Sequence, residues 1–191
     1  MDVDPYSNKA VFMSLYETLT KLKTLLEKDL ERLNIKISRE DDIQIKKEEE
    51  TKETMVEKDG LVLISKKLSY SLLKLLEDIF YFFEENIPEE IEEEIKILNF
   101  YLFFFSVKIQ RAVLNETEEK EMDYEDTTFD SKNSAFLSYV SIVKIINALQ
   151  NLLLFKKFPE SIYHKNKKLI KVFKTLNEVL DKKFNLQILS T

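Results

Sequence analysis

A chain of 191 residues with a single glycine, Gly60, is poorly equipped to build sheets. Strand turns and phosphate-gripping loops need a positive φ or a close backbone approach, which glycine supplies most cheaply. A helical protein needs little of either. Three prolines in the whole chain leave long stretches free of helix breakers. The expected fold class is therefore all-α: a bundle of four to five long antiparallel helices forming a single domain over 1–191.

The most apolar stretch lies at residues 91–114. Ile95, Ile97, Leu98, Phe100, Tyr101, Leu102, Phe103, Phe104, Phe105, Val107, Ile109 and Val113 follow there almost without a break. A helix carrying them is hydrophobic nearly all round its middle, which predicts the buried central helix of the bundle. Its apolar centre, Ile97 to Val107, is 11 residues long and contains Asn99. A membrane span needs roughly 20, so the expectation is a core helix and no membrane.

Other helices follow from apolar spacing. Phe12, Leu15, Leu19, Leu22, Leu26, Leu30 and Leu33 recur every three or four residues, giving one stripe on a first helix that starts near Asp4-Pro5. Leu68, Leu72, Leu75, Ile79 and Phe82 mark a second helix over 65–86. It stops before Ile87-Pro88, and Pro88 opens the organising helix, so these two form an antiparallel pair. A fourth helix is expected from Ala135 to Phe155, with apolar positions that include Phe136, Tyr139, Val140, Val143, Ile146, Leu149 and Leu153. Ser131 or Ser134 is its candidate cap. Lys156 to Pro159 makes a tight corner. The fifth helix runs to Phe184 with Ile162, Leu169, Phe173, Leu176 and Leu180 inward.

Two segments depart from this pattern. Residues 34–64 form a charged insertion in which Ile35/Ile37 and Ile43/Ile45 alternate with polar residues. Asp59-Gly60 then stands before Leu61-Val62-Leu63-Ile64, a hairpin signal that predicts a small β-hairpin around 43–64. The rival reading starts the next helix near Asp59. Residues 115–133 form an acidic connector.

Much catalytic chemistry is excluded. Without cysteine there is no disulfide, thiolate zinc site, iron–sulfur cluster or cysteine nucleophile. No basic n-region leads into an apolar run at the start, so no signal peptide is expected and the chain reads as cytoplasmic. The one histidine, His164, falls on the polar side of the fifth helix; paired Glu-x-x-His di-metal sites would need two. No cofactor is expected. What remains is carboxylate-held Mg²⁺. Glu89, Glu90 and Glu93 have the Glu-Glu-x-x-Glu spacing found on one helix of MazG-type nucleotide pyrophosphohydrolases, to which this stretch is similar in that spacing alone. Glu49, Glu50 and Glu53 have it too. The matching Glu-x-x-Asp half occurs only far away, at Glu178 and Asp181, so membership of that family does not follow.

Charge is unevenly spread over a net −6. Residues 84–126 hold 14 acidic and 4 basic side chains, whereas residues 156–183 hold 9 lysines and 3 acids. On a wheel of about 100° per residue, Lys167, Lys168, Lys171, Lys174 and Lys182 lie opposite the core stripe of the fifth helix. They are either a solvated outer face or a strip for an anionic partner. The chain has only three arginines, Arg32, Arg39 and Arg111, which argues against base-specific recognition. The functional expectation is a non-enzymatic scaffold or interaction protein that binds another macromolecule and pairs with itself. The alternatives are the Mg²⁺-dependent phosphohydrolase and non-specific nucleic-acid binding through the lysine face.

Overall fold

A computed structural model describes residues 8–32, 58–84, 86–122 and 125–188; the side chains of 115–129 and several on the first helix lie outside that description. The described residues form five helices: α1 (Asn8–Arg32), α2 (Lys58–Phe82), α3 (Glu92–Met122), α4 (Glu125–Leu152) and α5 (Glu160–Lys183). A 3₁₀ turn, Glu89–Ile91, leads into α3. No strand occurs among them.

Specific contacts fix the direction of each neighbour. Tyr16 packs edge-on against Phe80 at 5.7 Å and Lys23 pairs with Glu77 at 3.2 Å, so α1 runs antiparallel to α2. The Ser65 and Ser106 hydroxyls meet at 3.3 Å between α2 and α3. Ser131 donates to the Ala112 carbonyl at 2.6 Å and Ser138 to that of Phe105 at 2.9 Å, which locks α4 antiparallel to α3. Asn166 and Asn177 of α5 donate to the Leu149 and Tyr139 carbonyls of α4. Lys165 reaches Asp78 at 2.8 Å, so α5 returns alongside α2. The helices α2, α3, α4 and α5 thus close a ring around one apolar cluster, and α1 lies on α2. Phe105 and Phe173 meet edge-on across that cluster at 5.3 Å.

Prolines and polar turns close the helices much as the sequence predicts. Pro88 precedes the 3₁₀ turn and Pro159 precedes α5, both in extended geometry where the missing N–H costs nothing. With no glycine at the helix ends, the left-handed closing positions fall to Glu84 (φ 50°) and Asn185 (φ 51°). At the end of α5 the Leu186 N–H bonds the Asp181 carbonyl at 3.0 Å, the pattern that a left-handed residue at this position permits. The Asp181 carboxylate accepts the Ile188 N–H at 2.9 Å and holds the following turn. At the α4–α5 corner, Tyr163 donates to the Phe155 carbonyl and accepts from the Phe158 N–H.

Four expectations are corrected. The hairpin's second arm is helix: Lys58 to Ile64 is the first part of α2, and Gly60 is buried there without a positive φ. Long leucine periodicity downstream outweighs the local Asp-Gly signal. The first arm, Ile43 to Met55, lies outside the described residues, as do Ile35 and Ile37. Helix enters the acidic stretch 115–133 from both sides: α3 continues to Met122, and α4 begins at Glu125 rather than Ala135. Ser131 and Ser134 are therefore not caps but buried positions inside α4. Lastly, α3 is not the surrounded helix; α2 is. Leu61, Leu68, Leu72, Leu73, Leu75, Leu76 and Ile79 are all fully buried, and α2 is walled by α1, α3 and α5.

Two segments, Glu89–Leu114 and Asp130–Leu152, are by length and composition apolar enough to cross a membrane. Each packs one side into the bundle. The most apolar window of the first is 39% buried and that of the second 56%, so α3 keeps the more open outer side. On α1, Leu26 is buried against Tyr70 with Phe103 beside it. The side chains of Phe12, Leu15, Leu19, Leu22, Leu30 and Leu33 lie outside the described set.

Candidate interaction surface

Two outer faces carry side chains that the fold does not use. The first belongs to α3. Its inner side sends Ile95, Leu98, Leu102, Phe105 and Ile109 into the core with no exposure. Its outer side carries Phe100, Val107 and Leu114, exposed by 66%, 57% and 53%. These recur every seven residues, so they form one line along the helix with little angular drift. Phe104 lies beside that line, with its ring 6.3 Å from Phe100 and tilted by 27°. Lys108 stands over Phe104 at 5.4 Å, a cation–π contact that leaves the ring's neighbourhood basic. Large apolar side chains aligned in this way are uncommon on a surface that faces only water.

The second face belongs to α5. Lys167, Lys168, Lys171, Lys174 and Lys182 are all exposed, where the wheel places them. None makes an ion pair among the described residues, whereas Lys165, turned toward α2, does. His164 is exposed. The basic strip is thus an accessible excess of positive charge, with Glu178 among its lysines, on a helix whose other side is core.

Among the described residues, Glu89, Glu90 and Glu93 do not assemble into a cluster. Glu89, Glu90 and Glu93 are exposed at the start of α3, where the helix dipole favours negative charge by about 0.3–1 kcal/mol per well-placed group. Glu92 pairs with Lys96 at 3.3 Å one turn on. A shallow cleft of about 440 Å³ between this end and the α4–α5 corner is lined in part by Glu90, Glu94, Lys156 and Lys157. Basic groups there oppose the acids. Among the described residues, no three acids or histidines come together to hold a metal ion. Glu49, Glu50 and Glu53, which share the same spacing, lie outside the described residues.

Two of the apolar positions of α4 lie on the surface. Phe136 and Val143 of α4 are exposed by 44% and 37%. The face that packs against α3 is instead made of Ser131, Ser134, Ala135, Ser138, Ser141 and Ala148, all buried. Small side chains let the two backbones approach, and the serine hydroxyls bond carbonyl oxygens (Ser141 that of Leu137, in its own helix, at 2.6 Å). The signal in the sequence was the serine spacing, which looks polar but has helical period. Comparison with protein-family models, with curated proteins and with solved structures finds no match in any of the three.

Proposed function

We propose that this protein is a non-enzymatic helical scaffold that works by binding another macromolecule, and that its first partner is a second copy of itself. The observation carrying this reading is the exposed line Phe100, Val107 and Leu114 on α3. Val107 is its midpoint. In a two-fold pairing, Val107 meets Val107 at the axis and each Phe100 faces the partner's Leu114, so one surface is its own complement. The seven-residue repeat suits a shallow helix crossing, and the line extends for about 21 Å at 1.5 Å per residue. Pairing is antiparallel, which places the acidic ends bearing Glu89, Glu90 and Glu93 far apart rather than side by side.

Sedimentation equilibrium across a concentration series tests this. Wild-type protein passes from monomer to dimer as concentration rises. Val107→Asp stays monomeric with unchanged helical circular dichroism, because residue 107 supports no core contact. A wild-type protein that remains monomeric throughout the micromolar range overturns the reading.

A further inference from the structure

The outer face shared by α4 and α5 differs from that of α3 in both charge and chemistry. Moving round α4, the residues pass from Ser138 against α3, through Tyr139 and Leu149 against α5, to Val143 and Phe136 outside, at about 100° per residue. Moving round α5, they pass from Lys165 against α2, through Asn166 and Asn177 against α4, to Lys174, Lys167 and Lys171 outside. Both outward arcs begin at the same α4–α5 seam, so they lie side by side. The two asparagine bonds also fix the level. Lys174 stands near Val143, and Lys182 near the turn carrying Phe136. Beyond exposed Asn147 and Gln150, Leu154, exposed by 72%, adds a third apolar group at the corner, beside exposed Lys156 and Lys157. Glu160 and Glu178 are exposed acids on α5 amid this excess of lysine.

We propose that this face docks on an anionic phospholipid bilayer, with Phe136, Val143 and Leu154 entering the headgroup boundary and the lysines of α5 lying over acidic lipid. Exposed apolar groups flanked by lysines are what an interfacial surface needs: the former enter the boundary and the cations are drawn to it. A nucleic acid would use the lysines but give the aliphatic groups nothing to enter. This inference is independent of pairing through α3.

Vesicle co-sedimentation is the test, run on the full chain with phosphatidylserine-containing vesicles, with pure phosphatidylcholine vesicles, and with a duplex DNA probe. Wild type sediments with the anionic vesicles, less so as salt rises, and not with phosphatidylcholine. Combined Lys167→Gln, Lys171→Gln and Lys174→Gln lowers vesicle affinity by about tenfold or more. Phe136→Ser lowers it several-fold at unchanged net charge, with the melting curve retained. Absence of binding to anionic vesicles overturns the proposal. So does an unchanged affinity in Phe136→Ser, which would mean charge attraction alone. DNA binding without vesicle binding would assign the face to nucleic acid instead.

Discussion

Helices α2 and α3 are built from much the same stock of leucine, isoleucine and phenylalanine, yet one is enclosed and the other keeps an open side. The difference lies in what surrounds them. Helix α2 has α3 and α5 as ring neighbours and α1 laid over its outside, with Tyr16 against Phe80 and Leu26 against Tyr70. Helix α3 has α2 and α4 as its main neighbours, and its outer line of Phe100, Val107 and Leu114 is left exposed. Apolar content therefore says that a helix needs cover. Topology decides whether its own chain provides that cover.

The largest expected effect sets an enclosed residue against an open one. Leu72→Ala removes a fully buried side chain from α2 and should cost about 2–5 kcal/mol in denaturant unfolding. Phe100→Ala on α3, measured on dilute monomer, should stay within about 0.5 kcal/mol of wild type. A loss above about 2 kcal/mol for Phe100 in the monomer would mean that this side of α3 is covered after all.

The inner side of α3 gives the next effect. Ser138 is fully buried and bonds the Phe105 carbonyl, so the α3–α4 seam has no room for a larger group. Ser138→Leu should destabilise by about 1–3 kcal/mol through overpacking. Val107→Leu, the same kind of enlargement on the outer side, should leave monomer stability unchanged. Equal responses would erase the distinction between the two sides of this helix.

A smaller effect, of opposite sign, is expected in the turn that joins the two helices. Glu84 is held at φ 50°, a region that costs an L-residue about 1–2 kcal/mol and glycine almost nothing. Part of that gain is offset by the greater freedom of glycine in the unfolded chain. Glu84→Gly should raise stability by roughly 0.5–1 kcal/mol, seen as a higher melting temperature.

These contrasts also explain which parts of the fold could be read from sequence. Helix α5 was readable because its apolar residues form one stripe, so the inward Leu169, Phe173 and Leu176 and the outward Lys167, Lys171 and Lys174 separate cleanly on a wheel. The α2–α3 turn and the α4–α5 corner were readable because Pro88 and Pro159 each force an extended residue there. On α3, apolar residues occupy every direction, so no stripe indicated which side faces inward. On α4 the apolar positions alone do not mark the inner side. Close packing against α3 places Ser131, Ser138 and Ser141 inside, while the apolar Phe136 and Val143 face out. The lysine strip was visible in sequence. Its apolar neighbours were not, since they come from another helix and become adjacent only through the α4–α5 pairing.

The smallest effect uses a proton to sense enclosure. Tyr139 of α4 is buried at the α5 seam; burial, and then the nearby Asp181 carboxylate, raise its phenol above the ordinary value of about 10. Both causes disfavour the phenolate, the first by desolvation and the second by like charge. The unfolded chain loses this proton near pH 10, while the folded chain keeps it to higher pH. Below that pH the contribution of Tyr139 to stability is fully present. Above it the unfolded state binds fewer protons than the folded one, so stability falls as pH rises. Tyr139→Phe removes this part of the alkaline slope and leaves the slope from other groups in place. Melting temperatures of both proteins, taken from neutral pH to above pH 10, should run parallel at first and then converge or cross. Curves that stay parallel throughout would mean that the phenol reaches water as freely in the folded protein as in the unfolded one, and that the α4–α5 seam is open at Tyr139.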